Sequence, residues 1–125
     1  MNESELTEKI IGFCIKIHKE LGPGLFESLY EEVLCYELQK AAISFKRQTL
    51  IPVKYEELLV ENGFRADIVV EDKILLELKS VENLSPVHFK QVLTYLKLSG
   101  LKIGLLLNFN TAFLKDGIQR IVLGH

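Results

Sequence analysis

Gly63-Phe64-Arg65-Ala66-Asp67-Ile68-Val69-Val70-Glu71-Asp72-Lys73-Ile74-Leu75-Leu76-Glu77-Leu78-Lys79-Ser80 carries charged residues at strand positions that a small domain normally fills with apolar ones. It divides into two apolar runs around the polar Glu71-Asp72-Lys73. Side chains alternate faces along a strand. In the second run Ile74, Leu76 and Leu78 therefore share one face, and Leu75, Glu77 and Lys79 the other. In the first run the same rule groups Phe64, Ala66, Ile68 and Val70, with Arg65, Asp67 and Val69 opposite. A turn at Glu71-Asp72-Lys73 makes the two runs a hairpin and sets Asp67 and Glu77 on one face of adjacent strands. Two carboxylates and an amine then stand where a small domain buries Val, Ile or Leu. Such a placement costs stability unless the groups pair or bind a metal. Like charges that close repel unless a cation or a shared proton intervenes.

The Asp/Glu-x-Lys pattern alone is weak, since roughly one arises by chance in a chain this long. Glu71-Asp72-Lys73 also fits it, but lies in the turn without apolar neighbours and reads as solvated. Glu77 and Lys79 flank Leu78 and follow Leu76, and Asp67 arrives at hairpin spacing. The competing reading is a structural ion pair at a sheet edge; the chemical one is metal-assisted hydrolysis of a phosphodiester.

Working outward, Leu6, Ile10, Phe13, Cys14, Ile17 and Leu21 recur every three to four residues, an amphipathic helix over residues 5–21. Gly22-Pro23-Gly24 stops it. A second helix covers residues 26–41, with Tyr30, Val33, Leu34 and Leu38 inward. Residues 45–54 alternate as a strand, and Leu58-Leu59-Val60 pairs ahead of a break at Asn62-Gly63. Ser85 as N-cap and Pro86 at the first helical position open a third helix, which Gly100 ends. Ile103 to Asn108 is a continuous apolar run, as in a strand covered on both faces. Ile118 to Leu123 closes the chain. The order α-α-β-β-β-α-β-β predicts an α/β fold: a mixed sheet flanked by helices.

The 125 residues suit one domain with one core. With 48% hydrophobic and 26% charged residues, the composition is that of a soluble globular protein. No apolar run is long enough to span a bilayer, and Met1-Asn2-Glu3-Ser4-Glu5 does not read as a signal peptide, so a cytoplasmic protein without a membrane partner is expected. Cys14 and Cys35 lack CxxC spacing and read as buried thiols in a reducing compartment. The net charge of −2 argues against a nucleic-acid coat protein, though not against an enzyme that touches a few phosphates.

Three further groups stand out. His88, Gln91 and Tyr95 fall at i, i+3 and i+7 on one face of the third helix, with Phe89, Val92, Leu93 and Leu96 on the other as core. That polar stripe reads as a solvated face, or as a support for a phosphate or an attacking water. Glu27 lies in the first turn of the second helix, where the helix dipole alone favours a carboxylate. His18 reads as a satisfied helix-end histidine.

Gly24-x-x-Glu27-x-x-Tyr30, Phe64-Arg65-Ala66-Asp67, Glu77-x-Lys79 and Gln91-x-x-x-Tyr95 together resemble the GxxExxY family, assigned to the PD-(D/E)XK nuclease-like superfamily. The resemblance runs from Ile10 to Val122, with the motifs in the family's order. Gln91-x-x-x-Tyr95 is also similar to the motif of lambda-exonuclease-like and RecB-like nuclease domains. One departure is Ala66 before Asp67, where the superfamily's motif has Pro.

The resemblance implies a restriction-endonuclease-like core and a divalent-metal-dependent nuclease acting on DNA. Asp67, Glu77 and the backbone carbonyl of Leu78 would hold Mg²⁺ or Mn²⁺, an oxygen-only set suited to hard cations. Glu27 resembles the superfamily's helix-borne acid, supporting that site or a second one. The metal would acidify a water and screen the phosphate's charge. Lys79 would orient that water or stabilise the transition state. Gln91 and Tyr95 would position phosphate or water, with His88 a weaker candidate for the same task. Arg65 would contact a phosphate, or pair with Glu61 or Asp67. Two alternatives stay open: a catalytically silent interaction module, and a junction resolvase-like homodimer, since so short a domain grips a duplex poorly unless it pairs.

Overall fold

The computed structural model describes residues 1–124. Helices α1 (Glu3–Leu21) and α2 (Glu27–Lys40) come first, followed by strands β1 (Phe45–Tyr55), β2 (Leu58–Val70) and β3 (Ile74–Lys79). Helix α3 (Pro86–Ser99), strand β4 (Ile103–Asn108), a short 3₁₀ turn (Leu114–Gly117) and strand β5 (Ile118–Val122) complete the chain. The five strands form one mixed sheet in the order β1-β2-β3-β4-β5. Only β3 and β4 run parallel, and α3 makes the crossover that a parallel pair requires.

The sheet is covered on both faces. Under α1 and α2, Leu6, Ile10, Cys14, Tyr30, Leu34 and Leu38 pack on Ile68, Ile74, Leu76, Leu78, Leu105 and Leu107. Under α3, Val92 and Leu96 pack on Ala66, Val69, Leu75 and Leu106. Every residue of β4 is buried, which is why its sequence is apolar without alternation. Each such leucine contributes about 1.5–3 kcal/mol of burial. No helix among the described residues is long and apolar enough to cross a membrane.

Local signals explain the boundaries. Asn2 caps α1 reciprocally with Glu5, and the Ser85 N–H bonds the His88 ring at the start of α3, ahead of Pro86. Gly100 ends α3 at φ +80°. Glu71 and Asp72 both take left-handed φ values of +53° in the turn between β2 and β3. There Glu71 is bonded by Ser44 and Asp72 by Lys46, so this second Asp/Glu-x-Lys triplet is a surface turn. His18 is buried and donates Nε2–H to the Thr111 carbonyl at 2.8 Å, a satisfied helix-end histidine. Cys14 and Cys35 are free, and burial pushes their thiols up to about 12 and about 11.

Three expectations are corrected. Asn62-Gly63 makes no break: β2 runs through it, and the turn lies at Glu56-Glu57. Gly63 is there for space, because a Cβ would collide with the Val53 side chain beside the register shift between Ile51 and Val53. Leu93 and Leu21, assigned to cores, are 38% and 40% exposed. Most consequentially, β2 does not alternate strictly. Phe64 and Ala66 pack on the α3 side, whereas Ile68 and Val70 pack under α1 and α2. The facing of β2 switches at Asp67.

Candidate metal and catalytic site

The switch at Asp67 coincides with gaps in both neighbouring ladders. The β2–β3 pairing ends at Ile68↔Leu76, one step short of Asp67 and Glu77. The β1–β2 pairing passes from Arg47↔Ile68 to Thr49↔Ala66 and omits Gln48 and Asp67. Carboxylates take over where backbone pairing stops. The Asp67 N–H donates to Glu77 Oε1 at 3.3 Å, and the Leu78 N–H donates to Asp67 Oδ2 at 2.9 Å. The N–H and C=O of one strand residue point to the same side, so the Leu78 carbonyl also faces Asp67.

Glu77 is only 4% exposed. Burial, and then the charge of Asp67, push its carboxyl up to about 8, which Lys79 only partly opposes. Neither carboxylate makes a direct ion pair among the described residues. On α3, burial and then the charge of Glu77, with Asp67 contributing, raise the Tyr95 hydroxyl above its ordinary value. Tyr95 accepts a 3.0 Å bond from Gln91 Nε2, and its ring stacks on Phe64 at 4.1 Å. Asp67, Glu77, Lys79, Gln91 and Tyr95 thus form one neighbourhood between β2, β3 and α3.

Glu27 reaches the end of β3 from the other helical layer. Its carboxylate accepts the Ser80 N–H at 3.3 Å, and Ser80 Oγ donates to the Leu25 carbonyl at 2.7 Å. The loop before α2 is fixed by Tyr30, whose hydroxyl donates to the Gly22 carbonyl and accepts the Leu25 N–H while its ring stacks on Phe109. Gly24 holds φ +86°, a conformation that favours glycine. A cleft of about 490 Å³ opens there, lined by Gly24, Phe26, Glu27, Ser28, Ser80 and Asn110.

His88 and Arg65 stand apart from the carboxylates. The His88 Nδ1 accepts the Ser85 N–H, so its ring caps α3. Arg65 is exposed and joins no ion pair with Glu61, Asp67 or any other described residue. It neighbours Phe64 and Ala66, which face α3, and so points to the opposite face of the sheet from them. Ser80 and Asn108 escaped the sequence reading. Asn108 is buried and clamps Val81 through both its N–H and C=O. A lone amide ending the apolar run Ile103 to Leu107 was the available signal.

Among the described residues no three His, Cys, Asp or Glu side chains converge on one point. The donors present nevertheless suit a hard divalent cation: two carboxylates and a carbonyl side, all oxygen, with water free to complete the shell. Burial and the facing Asp67 both disfavour a second negative charge at Glu77, a cost that a cation would offset.

A family model described as PD-(D/E)XK nuclease superfamily matches residues 4–121. No curated protein and no solved structure gives a significant match.

Proposed function

The chain belongs to the PD-(D/E)XK nuclease superfamily, and from that premise we propose that it is a divalent-metal-dependent nuclease hydrolysing phosphodiester bonds of DNA. The observation that carries this reading is the opposition of Asp67 and Glu77 at the one place where the β2–β3 ladder gives way to side chains. In the proposed mechanism Asp67, Glu77 and the Leu78 carbonyl hold Mg²⁺ or Mn²⁺. The bound cation supplies acidification of water and neutralisation of phosphate charge. Lys79, on the face of Glu77, orients the attacking water or meets the negative charge that builds on the phosphate. Gln91 and Tyr95, already bonded to each other, position the phosphate from α3. Glu27 acts from the α2 side at Ser80, toward the cleft. The reading extends to the GxxExxY subfamily, supported by the left-handed Gly24 and the loop-fixing Tyr30.

The test is incubation of the purified protein with Mg²⁺ or Mn²⁺ and single-stranded, duplex or branched DNA, or RNA. Metal-dependent cleavage that disappears in Asp67→Ala is expected. Cleavage no greater than in that control would overturn the enzyme reading. The net charge of −2 favours a second reading, a catalytically silent module that keeps the fold as a nucleic-acid or protein interaction surface; no cleavage beyond that of the Asp67→Ala control in the same assay identifies it.

A further inference from the structure

Strict alternation would send Arg47 and Gln48 to opposite faces of β1. Both instead bond one carboxylate on α2. Arg47 donates from Nε and Nη2 to Glu31 Oε2, at 3.1 and 2.9 Å, and Gln48 Nε2 donates to Glu31 Oε1 at 2.8 Å. Glu31 is itself 8% exposed. Consecutive strand residues can share a partner here because Gln48 has φ +48°, a left-handed conformation unusual for a residue other than glycine. The next residue, Thr49, has a buried hydroxyl without a hydrogen-bond partner, a cost located at the same distortion.

The distortion has a counterpart across the ladder. Gln48 would pair with Asp67, and that is the pair β1 and β2 omit. Phe45 packs under α1 and α2 while Ile51 packs on the α3 side, so β1 switches facing at Gln48 as β2 does at Asp67. The alternation that runs through Ile68 and Val70 already sets Asp67 on the face of Glu77, and the β2–β3 register continued one step opposes the two. What the missing β1–β2 pair adds is room for the Asp67 carboxylate to enter the ladder, where it accepts the Leu78 N–H in place of a backbone carbonyl.

We propose that Glu31 and Gln48 are positioning residues, whose hydrogen bond, braced by Arg47, keeps β1 distorted and thereby seats the Asp67 carboxylate on the Leu78 N–H, beside Glu77. The metal-binding consequence rests on the nuclease reading; the geometric one does not. Two variants test it. Gln48→Leu removes the amide and favours extended backbone. Gln48→Gly removes the amide but accepts the left-handed φ, which guards against loss of the fold.

Two readouts are taken. Amide exchange of Leu78, compared with Leu76, reports the bond to Asp67 without any metal. Calorimetric titration with Mn²⁺ alone reports the ligand set. Both variants are expected to exchange the Leu78 amide at least about tenfold faster with Leu76 unchanged, and to bind Mn²⁺ about 10–100-fold more weakly, the usual effect of removing a partner that orients a ligand. A merely structural role would lower the melting temperature and speed Leu76 and Leu78 alike. Unchanged Leu78 exchange in either variant overturns the proposal. If the wild type binds no Mn²⁺, the metal reading fails while the exchange comparison still decides the positioning role.

Discussion

Two glutamates of this chain are buried almost equally, Glu37 on α2 at 5% exposure and Glu77 on β3 at 4%. Glu37 bonds Lys16 at 2.8 Å and lies 3.6 Å from Lys40, and the Lys16 bond draws its carboxyl below the ordinary range. Among the described residues Glu77 joins no salt bridge, and burial and then the charge of Asp67 push its carboxyl up to about 8. Burial is the largest cause of the rise at Glu77, with Asp67 adding to it, whereas at Glu37 the Lys16 bond outweighs burial. A carboxylate that helps hold helices together is given a lysine. One left opposite another carboxylate keeps its cost in the folded protein, which fits a site that waits for a cation.

The largest expected effect is on catalysis. Partners that merely orient a metal ligand are worth about 10–100-fold, so Asp67→Asn or Glu77→Gln is expected to lower cleavage by more than about 100-fold. Glu37→Gln should leave the rate unchanged; an equal loss in a cleavage assay would dissolve the contrast. Next in size, divalent cation at 100 times its dissociation constant should stabilise the wild type by about 2.7 kcal/mol. Thermal melting should show that gain in Glu37→Gln too, and none in the Asp67→Asn, Glu77→Gln double variant. An equal gain in the double variant would refute the assigned ligands.

Without metal, the pH dependence should have opposite signs at the two glutamates. Glu77 is raised above an unfolded value of about 4.3, so between about 4.3 and 8 the folded chain binds the extra proton. Its contribution is therefore complete below that window and lost as pH rises through it. Glu37 is lowered, so its contribution is present above about 4.3 and lost as pH falls through its folded value. Urea unfolding from pH 3 to 9 should lose the first slope in Glu77→Gln and the second in Glu37→Gln. The smallest effect is the stability change itself at pH 8. Glu77→Gln should stabilise the metal-free protein, while Glu37→Gln should cost no more than about 1 kcal/mol, because its half-exposed lysine partner is screened by solvent.

Much of the layout was legible because the signals were local. Ser85-Pro86 and Gly100 bound α3, Gly22-Pro23-Gly24 ends α1, and the unbroken apolar run marks β4 as covered on both faces. Asn62-Gly63 misled because a glycine required for room against Val53 has the same letter as one required for a turn. Leu93 misled because a 3.6-residue period fixes the centre of a buried face better than its edge.

The amino-acid order alone puts Asp67 and Glu77 at hairpin spacing, on one face and with Lys79 beside them, since strand periodicity and a polar turn are properties of consecutive residues. It also set apart Gln91 and Tyr95, four residues apart and so on one helical face. That the Asp67 carboxylate sits in the ladder on the Leu78 N–H came from tertiary contacts, because the facing of β2 switches opposite Gln48, which bonds Glu31 from a helix seventeen residues before it. Likewise, only packing made Glu37 a paired charge and Glu77 an unpaired one. Lys16, Lys40 and Asp67 are ordinary charged residues in the sequence, and their effect depends on distances that folding sets.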